Sequence, residues 1–209
     1  MPFVSGPKER KSRALGENLF LKAERSSSQK SGMTRRPYPP GMHGKRRRNL
    51  SEYGIQLKEK QKLRLFFGLQ EKQMKRYAQT AKSSKKTSAP EALFRLLESR
   101  IDSAVFQSGL APSRSVARQM VTHGHLKLNG RRVNVPSIAL RIGDEVSVAD
   151  SSKSKNIFEG IQDRLRKVGP PVWLEVDKDK LSFKFKAFPG LEGVKMNFNI
   201  PLIIEYYSR

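Results

Sequence analysis

The sequence predicts an α+β chain: a mostly helical part, a small module of two helices on a short, mainly antiparallel sheet, and a basic N-terminal arm. Three observations carry this. Residues 51–67 and 89–121 place apolar side chains at helical spacing between capping and stop residues. Asn129-Gly130, set between alternating segments, is a strong hairpin signal. Residues 1–49 hold breakers and cations without a period. A chain of 209 residues has room for one or two domains, and the changes in pattern divide it at 1–49, 50–88, 89–150 and 151–209.

The arm carries Gly6-Pro7, Gly16, Gly32, Pro37, Pro39-Pro40-Gly41 and Gly44 before the run Lys45, Arg46, Arg47, Arg48. That composition alone describes a basic tail that solvates itself. Phe20, Met33, Tyr38 and Met42 among the cations suit instead an arm that orders against RNA, stacking and pairing at once. Leu19-Phe20-Leu21 is an apolar patch able to anchor a small fold.

Ser51 is an N-cap candidate for a helix with Leu63, Phe66 and Phe67 on one face, closed by Gly68. Lys58 with Lys62, and Lys60 with Arg64, fall four apart, where like charges repel unless something negative lies between them. A second helix follows, its stripe Met74, Tyr77, Ala78 and Ala81, with Lys72, Lys75 and Arg76 pointing elsewhere. The apolar stripes read as core and the basic sides as phosphate-facing. Residues 83–88 read as a linker.

Ser88 and Glu91 have capping-box spacing, with Pro90 in the first turn. The stripe Leu93, Leu96, Leu97, Ile101, Ala104 and Val105 then runs as one helix to Gly109. Pro112-Ser113 opens the next helix, which turns Ala117, Met120 and Val121 inward and ends at Gly124. Residues 125–128 alternate as a strand, 131–135 return, and Gly143-Asp144 turns into a third strand at 145–148.

Residues 151–156 form a polar joint, and Ile157, Ile161 and Leu165 mark a helix that stops near Gly169-Pro170-Pro171. VWLEV and LSFKFKA around Asp177-Lys178-Asp179 read as a second hairpin. From Asn199, the cap and Pro201 favour a helix, while Ile203, Ile204, Tyr206 and Tyr207 favour a strand; the balance tips slightly to the helix.

Forty-two Lys and Arg against 19 Asp and Glu give a formal charge of +23, which opposes compactness unless a polyanion neutralises it. Nucleic acid fits that role; a membrane partner does not, because no apolar run approaches the length of a spanning helix. The absence of cysteine excludes disulfides, thiolate nucleophiles and thiolate metal sites. The first residues lack the apolar core of a secretory signal, so a cytosolic location is expected. No Walker-type loop, no G-x-S-x-G and no evident carboxylate pair appears, so neither catalytic residues nor a cofactor nor a small-molecule substrate is expected. His123 and His125 flank a glycine without an evident third ligand, and no metal site is expected there.

In the module, the start of the second helix with Arg114 and Arg118 can hold phosphate oxygens, while Lys127, Arg131 and Arg132 reach from the hairpin. Ion pairing is the competing reading, set aside because few acids lie nearby in the sequence. The candidate RNA-binding residues are Arg35, Arg36, His43, Lys45, Arg46, Arg47, Arg48, Tyr53, Lys58, Lys60, Gln61, Lys62, Arg64, Lys72, Arg76, Arg100, Arg114, Ser115, Arg118, Gln119, His123, His125, Lys127, Asn129, Arg131 and Arg132.

The strings S-R-x-D at 99–102, SRSVARQMV at 113–121, GHLKLNG at 124–130 and GDEV at 143–146 resemble the S-four-type RNA-binding domain, or alpha-L motif. RRPYPPGMHG at 35–44, SEYGIQLKEKQKLR at 51–64, WLEVD at 173–177 and the ending IIEYYSR are similar to the bacterial small-subunit ribosomal protein S-four family. The resemblance covers nearly the whole chain. It implies a primary binder of small-subunit (16S) ribosomal RNA that nucleates assembly of the subunit body at a multi-helix junction. It also implies contacts with ribosomal protein S-five, an influence on decoding accuracy, and a place where messenger RNA enters, with Arg46 touching it. By resemblance, residues 151–209 pack back on the helices after Ser51, so that the module is inserted into a discontinuous domain. Zinc-bearing relatives have four cysteines where this chain has Glu9, Ser12, Ser26 and Ser31, which implies the zinc-free form. RNA-modifying enzymes carry the same module beside a large catalytic domain, so an enzyme fragment or a free RNA chaperone is the alternative reading.

Overall fold

The computed structural model describes residues 6–22, 26, 28–46, 49–85, 87–152, 156–158, 160–167, 169–191 and 198–208. The chain divides into two compact units, Met1–Leu93 with Glu192–Arg209, and Phe94–Leu191.

In the first unit, α1 (Lys8–Leu15) ends on Gly16, whose φ of 69° supplies the left-handed cap that lets its N–H reach back into the helix. A short helix α2 (Gly32–Arg35) follows. α3 (Glu52–Phe66) begins at Ser51, whose Oγ accepts from the Gly54 N–H at 3.3 Å. α4 (Glu71–Lys82) buries Met74, Ala78 and Ala81, three members of its expected stripe. Leu15, Leu19 and Leu21 close over Leu65 of α3, so the apolar patch of the arm does anchor a fold. Phe20 is the exception: its φ of 47° turns it outward between the two leucines, half exposed.

The end of the chain is a helix. α9 (Ile200–Tyr206) starts at Asn199, whose Oδ1 accepts from the Leu202 N–H at 3.4 Å, with Pro201 in the first turn. It packs on α3, where Tyr53 and Tyr206 lie 5.5 Å apart and the Asn199 N–H donates to Glu59 at 2.8 Å. The strand alternative fails because Ile200 and Ile203 alone are buried, at helical spacing.

The second unit corrects one expected helix into two. α5 (Ala89–Glu98), in which the division between units falls, and α6 (Ile101–Gln107) are broken at Arg100, which is extended at φ −66°, ψ 140°. The break is stabilised by a bridge between Arg100 and Ala139: the Ile101 N–H donates to Ile138 O and the Leu140 N–H to Ser99 O. The apolar stripe continues through the break because Leu97, Ile101, Ala104 and Val105 remain buried, so periodicity alone does not reveal it.

α7 (Arg114–Thr122) begins at Ser113, whose Oγ accepts from the Val116 N–H, and turns Ala117, Met120 and Val121 inward. β1 (Leu126–Leu128) and β2 (Arg131–Val133) form the expected hairpin, with Asn129 at φ 48° and Gly130 at φ 79°. β3 (Glu145–Val148) pairs antiparallel with β1. α8 (Ile161–Lys167) buries Ile161 and Leu165. β4 (Leu174–Asp177) and β5 (Ser182–Phe185) form the second hairpin.

That hairpin belongs to the second unit. β5 pairs with β3, placing Phe183 opposite Val146 and extending the sheet to five antiparallel strands in the order β2-β1-β3-β5-β4. The reason is hydrophobic: Leu174, Phe183 and Phe185 join Ile101, Met120, Leu126 and Val146 in one core.

Candidate nucleic-acid interface

In the second unit the residues chosen for RNA contact divide into a buried set and an exposed set. Arg100 is 1% exposed. Its Nε and Nη2 grip Asp102 at 2.9 and 2.7 Å, and Nη2 also donates to Pro136 O at 3.3 Å. Arg100 therefore pins the helix break, and its place in the RNA-binding set is corrected. Arg114 is tied in the same way: Nη2 lies 2.8 Å from Oε1 of buried Glu98, Nη1 donates to Ser103 Oγ, and the guanidinium sits 4.9 Å from the Phe106 ring centre. Only 12% of its side chain is exposed. Arg118 Nε lies 3.4 Å from Asp102 Oδ2 and keeps more exposure, 23% of the side chain. Ion pairing, set aside from sequence, thus holds both arginines, because the break between α5 and α6 carries Glu98 and Asp102 to α7.

His125 is also buried, with Nδ1 3.0 Å from Ser152 Oγ and its ring edge-on to Phe158, a core position that corrects its reading as a contact residue. Asn129 is exposed but committed: its amide donates to Asp144 Oδ1 at 2.8 Å and its carbonyl oxygen accepts from the Glu145 N–H at 2.9 Å, which joins the hairpin turn to β3. Lys127 pairs with Asp150 at 2.8 Å. Ser115 and Gln119 lie exposed on α7 and His123 at its C-cap, and Arg131 and Arg132 lie exposed on β2. Arg132 donates through Nε to Gly124 O, where a Cβ on Gly124 would come within 2.8 Å of it. That contact fixes the arginine against the end of α7.

In the first unit, the like charges four apart on α3 meet acids supplied by the protein itself. Lys60 is buried, 3.0 Å from Glu71 Oε1 and 4.7 Å from the Tyr206 ring centre. Lys62 bonds Glu17 and, at 2.7 Å, Glu59. Burial opposes the Lys62 charge, yet its hydrogen bonds to the two carboxylates hold its pKa above the ordinary lysine value. Arg64 lies 3.5 Å from Glu71. These three cations pair with acids of their own unit, Lys60 and Lys62 with little side-chain exposure and Arg64 with 29%. Lys58 and Gln61 are half-buried. Tyr53 is half exposed, its hydroxyl 3.3 Å from that of Tyr206.

Lys72 and Arg76 are exposed on α4, with Lys75 as a further exposed cation beside them. Arg35, Arg36, His43, Lys45 and Arg46 are exposed, and Arg47 and Arg48 lie outside the described residues. Arg13 braces this stretch: its Nε donates to Arg36 O at 3.0 Å and Tyr38 O at 3.1 Å, and its guanidinium lies 5.2 Å from the Tyr38 ring centre. No sequence signal marks Arg13, since its acceptors are backbone carbonyls more than 20 residues away.

The four positions matched to cysteines hold their segment by hydrogen bonds. Glu9 Oε2 accepts from the Gly32 N–H at 2.9 Å, Ser26 Oγ from the Lys22 N–H at 3.3 Å and Ser31 Oγ from the Met33 N–H at 3.3 Å, while Ser12 is buried. One carboxylate and three hydroxyls supply no thiolate for a zinc site. Among the described residues no group of three or more His, Asp or Glu is placed to hold a metal, and no helix is long and apolar enough to cross a membrane.

A helical unit and a helix-and-sheet unit, each carrying exposed cations, define a basic protein with an S4 domain: residues 99–146 match the S4 domain, and residues 4–98 match the ribosomal protein S4/S9 N-terminal domain. The small ribosomal subunit protein uS4 of Caldicellulosiruptor bescii is 45% identical over 204 residues, 98% of either chain. Those of Heliobacterium modesticaldum and Thermus thermophilus are each 44% identical, over 100% and 98% of either chain. The chain belongs to the uS4 family, whose members are ribosomal proteins and not enzymes.

Proposed function

We propose that this chain is a structural constituent of the small ribosomal subunit, in the cytoplasm, and a primary binder of 16S ribosomal RNA. Full-length similarity to uS4 proteins carries the reading, and the distribution of charge supports it. Once Lys60, Lys62, Arg64, Arg100 and Arg114 are set apart as ion-paired within the fold, exposed cations remain on the arm, on α4 and on β2, and Arg118 keeps partial exposure beside its longer contact to Asp102. The RNA-facing set is then Arg35, Arg36, His43, Lys45, Arg46, Lys72 and Arg76 in the first unit, with Ser115, Arg118, Gln119, His123, Arg131 and Arg132 in the second.

In this reading the alpha-L module is an insertion into a discontinuous domain, and the chain acts as a clamp on the backbone of a multi-helix junction, nucleating the subunit body. By family resemblance the proposal extends to contact with ribosomal protein S-five, an effect on decoding accuracy and a place for Arg46 where messenger RNA enters. Titration of the full chain with 16S ribosomal RNA at several salt concentrations tests the reading: affinity falls steeply and linearly in log–log form if many phosphates are neutralised. A flat salt response contradicts it.

A further inference from the structure

The segment between Arg35 and Arg46 has a shape that phosphate binding alone does not require. The Gly44 N–H donates to Gly41 O at 3.2 Å, closing a four-residue turn with Met42 and His43 at its two central positions. Gly41 has φ 105°, and a Cβ at Gly44 would lie 1.9 Å from Pro39 O, so only glycine permits this close return of the chain. Pro39 and Pro40 stiffen the approach. On the N-terminal side, Arg13 clamps the carbonyls of Arg36 and Tyr38, and the Tyr38 ring lies 5.2 Å from the Arg13 guanidinium and 5.4 Å from Lys45 Nζ. The turn is thus braced from both ends, and at its tip Met42 is 90% exposed.

We propose that Met42, with His43 beside it, is a base-contacting tip: the thioether inserts against the face of an unstacked RNA base while His43, Lys45 and Arg46 hold the flanking phosphates. This rests on the RNA-binding reading above and specifies how the arm meets its ligand. An isolated exposed apolar side chain is ordinary, but a braced turn that projects one is suited to the wedge role that methionine and other apolar side chains play at base steps. Methionine's unbranched, polarisable chain conforms to a flat aromatic face. Charge selects the occupant. No Asp or Glu occurs between Glu24 and Glu52, and Arg35, Arg36, Lys45 and Arg46 are all exposed, so a protein surface would have to supply a dense acidic patch around an apolar pocket. RNA supplies phosphates and bases in that arrangement by its chemistry.

The test uses the full chain and a 16S ribosomal RNA transcript, comparing wild type, Met42→Ala, Met42→Leu and Arg46→Ala across a salt series. Met42→Ala is expected to weaken binding about tenfold, near the lower end of the cost of losing an aromatic base stack, while leaving the log–log salt slope unchanged, because no phosphate contact is lost. Met42→Leu should retain affinity to within about twofold, as expected for an apolar wedge of similar size. Arg46→Ala should reduce the slope by about one contact. Equal affinity of Met42→Ala and wild type overturns the proposal and leaves the RNA reading intact, as does a loss that comes with a reduced slope. A normal RNA affinity for Met42→Ala with loss of binding to another small-subunit protein overturns it in favour of a protein partner. Wild type that fails to bind the transcript removes both readings together. Met42 contributes little to the fold at its exposure, so its variants report on binding.

Discussion

Arg114 Nη2 lies 2.8 Å from Glu98 Oε1, across the break that separates α5 from α6. Glu98 is buried and also accepts from Ser103 Oγ at 2.5 Å and Gln107 Nε2 at 3.1 Å, so its carboxylate is the hub of a small buried network. The arginine is the only cation paired with it among the ion pairs of the described residues.

Removing that cation leaves a buried charge uncompensated. Arg114→Ala is therefore expected to destabilise the second unit by about 3–5 kcal/mol, the usual cost of breaking one partner of a buried pair, visible as a lower denaturant midpoint. Arg118→Ala, on a more exposed and longer contact, should cost about 1 kcal/mol or less while weakening RNA binding. Equal stability of the two variants would contradict a structural role for Arg114 distinct from a surface role for Arg118.

How far this site was legible in the sequence follows from that pair. The Asn129-Gly130 turn, the caps at Ser51, Ser113 and Asn199 and the stripe of α4 are local, and local chemistry reads directly off the chain. The partners of the cations are not local: Glu98 is 16 residues from Arg114, Glu17 is far from Lys62, and Asp102 reaches Arg118 only because the helix expected to run to Gly109 breaks at Arg100. A selection made by residue type therefore gathered structural arginines with surface ones. The pairing of β5 with β3 was not legible for a related reason, since neither segment announces its partner alone.

Asn129 gives a second prediction. Its side chain closes two hydrogen bonds between the hairpin turn and β3, at a left-handed backbone position that asparagine tolerates. Asn129→Ala should cost about 1–3 kcal/mol, from the two lost bonds and the added strain. A thermal melt with less than about 0.5 kcal/mol of change, the level of an ordinary surface substitution, would show that the lock is redundant.

The first unit should carry a pH signature. Tyr207 donates to Glu71 Oε1 at 2.7 Å, and Lys60 donates to the same oxygen at 3.0 Å. Burial alone would raise the Glu71 pKa, but the bonds from Tyr207 and Lys60 outweigh it and hold the carboxyl below its ordinary value of 4.5. Its stabilising contribution is thus present above pH 4.5 and is lost as pH falls through the depressed value. Tyr207 is shifted the other way, upward by burial and by the neighbouring carboxylate, so its contribution is present below pH 10.0 and lost as pH rises beyond it. Glu71→Gln should lower stability at neutral pH and flatten the acid limb of the melting curve. An acid limb identical to that of the wild type would exclude Glu71 as its source.

Arg131 and Arg132 are the exposed pair on β2. Each substitution to Ala should lower the log–log salt slope of binding to 16S ribosomal RNA by about one, and Lys60→Ala should leave the slope unchanged while lowering stability.

Chemical footprinting of the full chain on 16S ribosomal RNA tests the proposed function most directly. Protections clustered at one multi-helix junction, diminished together by substitution of Arg46, Arg76 and Arg131, are the expected result. Protections scattered along the RNA, or unaffected by removing those cations, would contradict a clamp built on the exposed cations of both units.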